Sequence, residues 1–155
     1  RLIIHEVTLL CPCVSVLLSA TEGTDSNRLR HRRNVVQFGN MIECRMNRQP
    51  LDYYGYGCHC GFGGKGAPVD PTDRCCRSHD CCYNRAITAG CNPYSDIYHY
   101  ACKHGRITCD AKNDWCERKI CECDRRASAC FTHASFSSRF VDYTGPCLGT
   151  KPICR

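Results

Sequence analysis

From residue 34 the apolar positions take a helical spacing. Val35, Phe38 and Ile42 share one face, and Asn34 is suited to cap it. The spacing lapses between residues 47 and 71, where glycines gather in Gly61-Phe62-Gly63-Gly64 and at Gly66, and a loop is predicted. Helical periodicity returns from Asp73 to about Ala89, with Gly90 as the stop. Short alternating runs follow, Tyr98-His99-Tyr100 and Arg106-Ile107-Thr108, and predict a small hairpin. Asp114 to Phe131 reads as a second long helix, and Gly145-Pro146 and Pro152 mark irregular chain beyond it. The expected fold class is mainly α, with an N-terminal helix, two long antiparallel helices, a glycine-rich loop and one hairpin.

The chain ahead of residue 34 has a different pattern. Residues 7–20 are apolar and end in small residues, so residues 1–20 are read as a signal-peptide remnant, too short an apolar run to span a bilayer. An N-terminal strand is the plainer alternative. Residues 21–33 are polar and end in Arg30-His31-Arg32-Arg33, a run suited to a processing protease, and are read as a propeptide. Residues 34–155 then form the working domain. It holds sixteen cysteines, an even number suited to eight bridges, and a net charge of +4.

Cysteine changes the picture most. Eighteen of 155 residues are Cys, about 12 %, which marks a disulfide scaffold. A core so thin in ordinary apolar residues needs covalent staples, and disulfides persist in oxidising compartments, so secretion is expected. Zinc is the rival reading, but the close pairs Cys58/Cys60, Cys75/Cys76, Cys81/Cys82 and Cys121/Cys123 lack the Cys-x2-Cys spacing of structural sites. The full chain carries +6. Its basic residues are scattered, with no aromatic-rich basic strand beside them, which argues against nucleic acid. An anionic lipid surface suits the charge better.

Cys75 and Cys82 are two helical turns apart, as are Cys123 and Cys130, so each pair lies on one face of its helix. Two antiparallel helices could be bridged Cys75 to Cys130 and Cys82 to Cys123, a pairing that spacing alone does not prove. It would bring Asp124 near His79, an acid–base dyad of the kind that fixes a histidine tautomer. Asp80 follows His79, rotated by about 100° on the helix. Together with carbonyls of the glycine-rich loop, its carboxylate is the donor mix that calcium prefers. Taken singly, Asp80 is as well explained as a solvent-facing helix residue, and the loop as a plain turn.

These residues also carry a resemblance. Tyr56-Gly57-Cys58-His59-Cys60-Gly61-Phe62-Gly63-Gly64, with Gly66, Pro68 and Asp70, resembles the calcium loop of secreted phospholipases A2. Asp73-Arg74-Cys75-Cys76-Arg77-Ser78-His79-Asp80-Cys81-Cys82-Tyr83 resembles their active-site helix, and Cys121-Glu122-Cys123-Asp124-Arg125-Arg126-Ala127 the helix with the partner aspartate. The resemblance spans residues 34–155. It implies calcium-dependent hydrolysis of the sn-2 ester of glycerophospholipids, with release of a fatty acid and a lysophospholipid.

It further implies His79 as general base, Asp124 holding the far ring nitrogen, and Tyr83 and Tyr98 hydrogen-bonded to Asp124. Calcium would be held by Asp80 and the carbonyls of His59, Gly61 and Gly63, with the Gly61 N–H beside the oxyanion. Tyr94 takes the position that meets substrate phosphate. Val35, Val36, Phe38, Leu51 and Phe62 would surround the channel mouth, facing an anionic phospholipid membrane. The implied bridges are Cys44–Cys102 and Cys81–Cys154, a combination similar to the group X pattern, with Cys58–Cys147, Cys60–Cys76, Cys75–Cys130, Cys82–Cys123, Cys91–Cys116 and Cys109–Cys121. The chain departs from the family in three places. His59 replaces a Tyr or Phe, the segment between Cys44 and Tyr56 is shorter than usual, and Trp115 falls in or near the second long helix rather than at a membrane-facing position.

The implied state is a monomeric enzyme with a membrane surface, and a cell-surface receptor as a further partner. A non-catalytic calcium-binding matrix protein on the same scaffold is the rival, and the intact His79, Asp80 and loop glycines argue against it.

Overall fold

In the computed structural model, residues 25–155 are described, with side chains from residue 35. The signal-like segment 1–20, with Cys11 and Cys13, lies outside the described residues, as do the first positions of the propeptide.

Helix α1 spans Asp25–Met46. Asn34 therefore lies within the helix rather than at its cap. Residues 25–33 contain no glycine or proline, so nothing in the local sequence interrupts the helical turns there. Val35 and Val36 stay more than half exposed, whereas Met41 and Ile42 are buried. The apolar stripe thus enters the core only in the second half of the helix. Among the described residues, no helix is long and apolar enough to cross a membrane.

Helix α2 spans Pro71–Thr88, starting slightly before the predicted Asp73. Asp70 caps it, accepting from the Asp73 N–H at 2.8 Å, and Pro71 supplies a preset φ at the first helical position. Gly90, at φ +90°, turns the chain away after the helix. Helix α3 spans Trp115–His133 and opens with a reciprocal capping box, Asp114 accepting from the Glu117 N–H and Glu117 from the Asp114 N–H. Strands β1 (Tyr100–Lys103) and β2 (Arg106–Cys109) pair antiparallel, Tyr100 opposite Cys109 and Lys103 opposite Arg106. His104 and Gly105, both at positive φ, make the two-residue turn that matches the twist of such a ribbon.

Helices α2 and α3 run antiparallel and are cross-linked by Cys75–Cys130 and Cys82–Cys123, with Cα atoms 5.8 and 5.6 Å apart. The other six bridges pair as the family resemblance implies. The core has two lobes. One gathers Met41, Tyr83, Tyr98, Ile107 and Ile120; the other gathers Ile42, Tyr53, Tyr56, Phe131 and Phe140. Adjacent residues of α1, Met41 and Ile42, enter different lobes, so α1 lies across both. Each lobe is small, and the bridges limit the chain entropy that burial alone would have to overcome.

Candidate active site

The two long helices deliver His79 and Asp124 to one place. His79 Nε2 lies 2.6 Å from Asp124 Oδ1. The Tyr83 hydroxyl donates to that same oxygen at 2.7 Å, and the Tyr98 hydroxyl donates to Oδ2 at 2.6 Å. Asp124 is fully buried, so its charge depends on these donors in place of water. Burial, and then the neighbouring Asp124 carboxylate, hold both phenols well above the usual tyrosine range. They remain protonated donors across the physiological range. An ionised Asp124 selects the tautomer with a proton on Nε2, which leaves Nδ1 of His79 as the proton acceptor.

A row of rings leads from the surface to His79. Phe62 is 70 % exposed and lies 6.4 Å from Tyr94. Tyr94 meets Tyr83 edge-on at 5.8 Å, Tyr83 lies 4.2 Å from the His79 ring, and Phe38 stacks on His79 at 4.4 Å. Phe38 is half-buried, a wall beside the imidazole rather than a rim residue like Val35, Val36 and Leu51, which are all exposed. These rings offer an apolar approach suited to hydrocarbon.

Asp80 and the glycine loop have another character. Burial raises the Asp80 carboxyl to about 6, against the opposing pull of His79, Arg77 and Lys151. Its Oδ2 is buried and, among the described residues, has no hydrogen-bond partner. A buried carboxylate oxygen left so is costly unless something positive meets it. A cavity of about 300 Å³ at the loop is bounded by Gly57, His59, Gly61, Phe62, Gly63 and Tyr143, and Asp80 is not among its lining residues. Gly61 and Gly63 lie at φ +130° and +87°, conformations that L side chains rarely adopt. One carboxylate with backbone carbonyls is a hard-oxygen donor set, which fits a hard divalent cation.

Sequence reasoning missed the residue that organises this loop. Asp73 is fully buried, and its two oxygens accept from the backbone N–H groups of His59 (2.8 Å), Cys58 (2.9 Å) and Val69 (2.9 Å). A Cβ on Gly57 would stand 2.5 Å from the Asp73 carboxyl carbon, so the close approach requires glycine there. The His59 ring is buried, its Nε2 3.1 Å from the Gly66 carbonyl, and burial lowers its pKa. Tyr56 donates to Asp70 and accepts from the Ser137 N–H. Two acidic residues around Pro71-Thr72 were the available signal, but they read equally well as helix caps.

Residues 35–141 match the family model described as phospholipase A2. The chain is 46% identical over 130 residues to Basic phospholipase A2 2 of Bungarus caeruleus, covering 83% of this chain and 90% of that protein. It is 43% identical over 143 residues to "Phospholipase A2, membrane associated" of Mus musculus, covering 90% and 98%. It is 45% identical over 124 residues to Basic phospholipase A2 caudoxin of Bitis caudalis, covering 78% and 100%. The chain belongs to the phospholipase A2 family. It is a disulfide-rich hydrolase with phospholipase A2 activity.

Proposed function

We propose that this chain is a secreted, calcium-dependent phospholipase A2 that cleaves the sn-2 ester of glycerophospholipids at anionic membrane surfaces. The observation that carries the reading is the buried Asp124 on Nε2 of His79, at 2.6 Å. With that nitrogen occupied, Nδ1 of His79 takes a proton from the water that attacks the ester carbonyl. The same imidazolium then returns the proton to the departing alkoxide, while Asp124 steadies its charge. Tyr83 and Tyr98 keep Asp124 in place through both transfers. The Gly61 N–H donates where negative charge develops on the carbonyl oxygen.

Asp80 and the carbonyls of His59, Gly61 and Gly63 would hold calcium. When bound, calcium supplies Lewis acidity at the ester carbonyl. The buried, partnerless Asp80 oxygen supports the assignment. Phe62 and Tyr94 lead the acyl chains toward His79, and Val35, Val36 and Leu51 form an apolar rim for docking. Eight bridges favour an oxidising, extracellular setting. Residues 1–20 act as a signal segment and 21–33 as a propeptide, which leaves 34–155 as the mature enzyme. A cut after Arg33 falls within α1 and shortens it at the end that bears Val35 and Val36.

The test is fatty-acid release from vesicles of mixed phospholipids whose sn-1 and sn-2 chains differ. Release of the sn-2 chain only, abolished by chelator and restored by calcium, is the expected result. Undiminished release in chelator, or equal release of both chains, would refute the reading.

A further inference from the structure

A second concave site lies between α2 and α3; Cys82, Arg85, Cys123 and Arg126 of its lining also border a smaller adjoining cavity that reaches His79, whereas Trp115 and Lys119 border the groove alone. The groove has a volume of about 310 Å³, within the range of small-ligand sites. From α2 it takes Ala86, with Arg85 beside it, and from the C-cap of that helix Ala89; both alanines are small and leave its floor open. From α3 it takes Trp115, Lys119 and Arg126, which recur on one helix face. The Cys82–Cys123 bridge crosses between the helices at the same groove.

The groove has two chemistries at once. Its floor is apolar, and Trp115 stands 55 % exposed at its edge, although tryptophan is usually buried. Its rim is basic. The Lys119 ammonium lies 5.3 Å from the centre of the Trp115 ring. Arg85 donates to the Arg155 carbonyl at 2.7 Å, and Arg118 donates to the Asp110 and Ala111 carbonyls at 3.2 Å. The partners of Arg118 are carbonyl oxygens and that of Lys119 is a ring face, while Arg85 is engaged by the main-chain oxygen of Arg155. The rim holds one carboxylate, Glu122. Arg125 takes it through two bonds, at 2.9 and 2.7 Å, while Arg126 keeps only a 4.0 Å pair with it.

We propose that this groove binds a single-chain anionic amphiphile, and that its ligand is a long-chain fatty acid, with the tail along Ala86, Ala89 and Trp115 and the carboxylate on Lys119 and Arg126. The charge complementarity calls for an anion, and the apolar floor calls for a tail that a polysulfated sugar or a free phosphate lacks. Supply of the ligand rests on the enzyme's own release of fatty acid. Occupancy of the groove does not, since neither His79 nor Asp124 lines it.

Trp115 is the sole tryptophan of the chain, so its fluorescence reports on this groove and not on the channel. The experiment titrates the full chain, in chelator, with sodium dodecanoate below its micelle concentration. A saturable change in Trp115 emission is expected, with dodecanol and acetate each at least about tenfold weaker because each lacks one of the two contacts. Lys119→Glu/Arg126→Glu should weaken dodecanoate binding by on the order of tenfold or more. The same variant should retain hydrolysis of a dispersed short-chain phospholipid, which shows that it folds and that the active site is intact. Calcium-dependent hydrolysis is measured separately, so failure of the groove proposal leaves that reading standing. No saturable change with dodecanoate, an equal response to heparin or inorganic phosphate, or undiminished binding by the double variant would overturn the proposal. An equal response to phosphatidylglycerol vesicles would overturn it as well, by making this face a membrane-docking surface.

Discussion

The dyad and the glycine loop lie side by side but are built on opposite principles. The dyad is made of side chains on two helices that disulfides hold together, and its aspartate is fully buried. Both oxygens of Asp124 and Nε2 of His79 have partners within the fold. The loop offers backbone oxygens, has its tip in solvent, and depends on glycine conformations and one buried carboxylate, Asp73, for its shape. Its neighbour Asp80 keeps an oxygen that has no hydrogen-bond partner among the described residues. Proton transfer needs a base fixed to within a fraction of an ångström, whereas a cation can gather oxygens from a more adaptable loop. The first site is held by side-chain hydrogen bonds, the second by backbone conformation.

Separating the two should be easiest at His79. His79→Gln is expected to cut turnover by on the order of 10²–10⁴, while calcium still raises the melting temperature as in the parent. Loss of the calcium-induced rise in this variant would mean that the sites are not independent. Asp73→Asn attacks the other side. It removes the charge that three backbone N–H groups share, at a cost of about 3 kcal/mol, or about 6–12 °C in melting temperature. Calcium affinity should fall with it. Differential scanning calorimetry with and without calcium tests this, and an unchanged melting curve would contradict the organising role of Asp73.

A smaller effect comes from pH. The Asp80 carboxyl lies at about 6 in the metal-free fold, against an ordinary 3.8. Between those values the folded chain keeps a proton that the unfolded chain has lost, so without metal this group lowers stability as pH rises through that window. Calcium held by Asp80, as proposed, would have to displace the same proton. Apparent calcium affinity is therefore expected to be about tenfold weaker at pH 5 than at pH 8, as measured by the calcium concentration needed for half the rise in melting temperature. A constant midpoint would mean that Asp80 is not the group that meets the metal. Tyr98→Phe should do least. Asp124 keeps His79 and Tyr83, so activity on dispersed substrate should drop less than about tenfold, with a stability loss of about 1 kcal/mol. A larger loss would show that the buried aspartate has no reserve of donors.

The aromatic approach and the α2–α3 groove make a second contrast. Phe62, Tyr94 and Tyr83 form a row of rings toward the imidazole, without a basic rim in that row. The groove has few rings and is edged with cations. Both suit hydrocarbon, but of the two only the groove is edged with basic side chains.

Local sequence determined a good deal of this protein. Apolar spacing, capping residues and glycine stops placed α2, α3 and the hairpin close to where they lie, because those signals act within a few residues along the chain. The cysteine stripes of α2 and α3 marked the faces that meet, and the motif around His79 and Asp80, with Asp124 later, carried the resemblance to the family. The start of α1 was not legible, because Asn34 caps a helix only if the chain before it leaves the helix, and residues 25–33 do not. Tertiary structure alone decided the rest. Asp73 and Asp70 are both acidic residues at a helix start, and only the fold sends one inward to gather three loop amides and leaves the other to cap. Phe38 lies on the same helix as Val35, yet packing sets it on His79 and leaves Val35 in solvent. The groove exists only where the small residues of α2 come to face the long basic side chains and Trp115 of α3, and no spacing within either helix encodes that meeting.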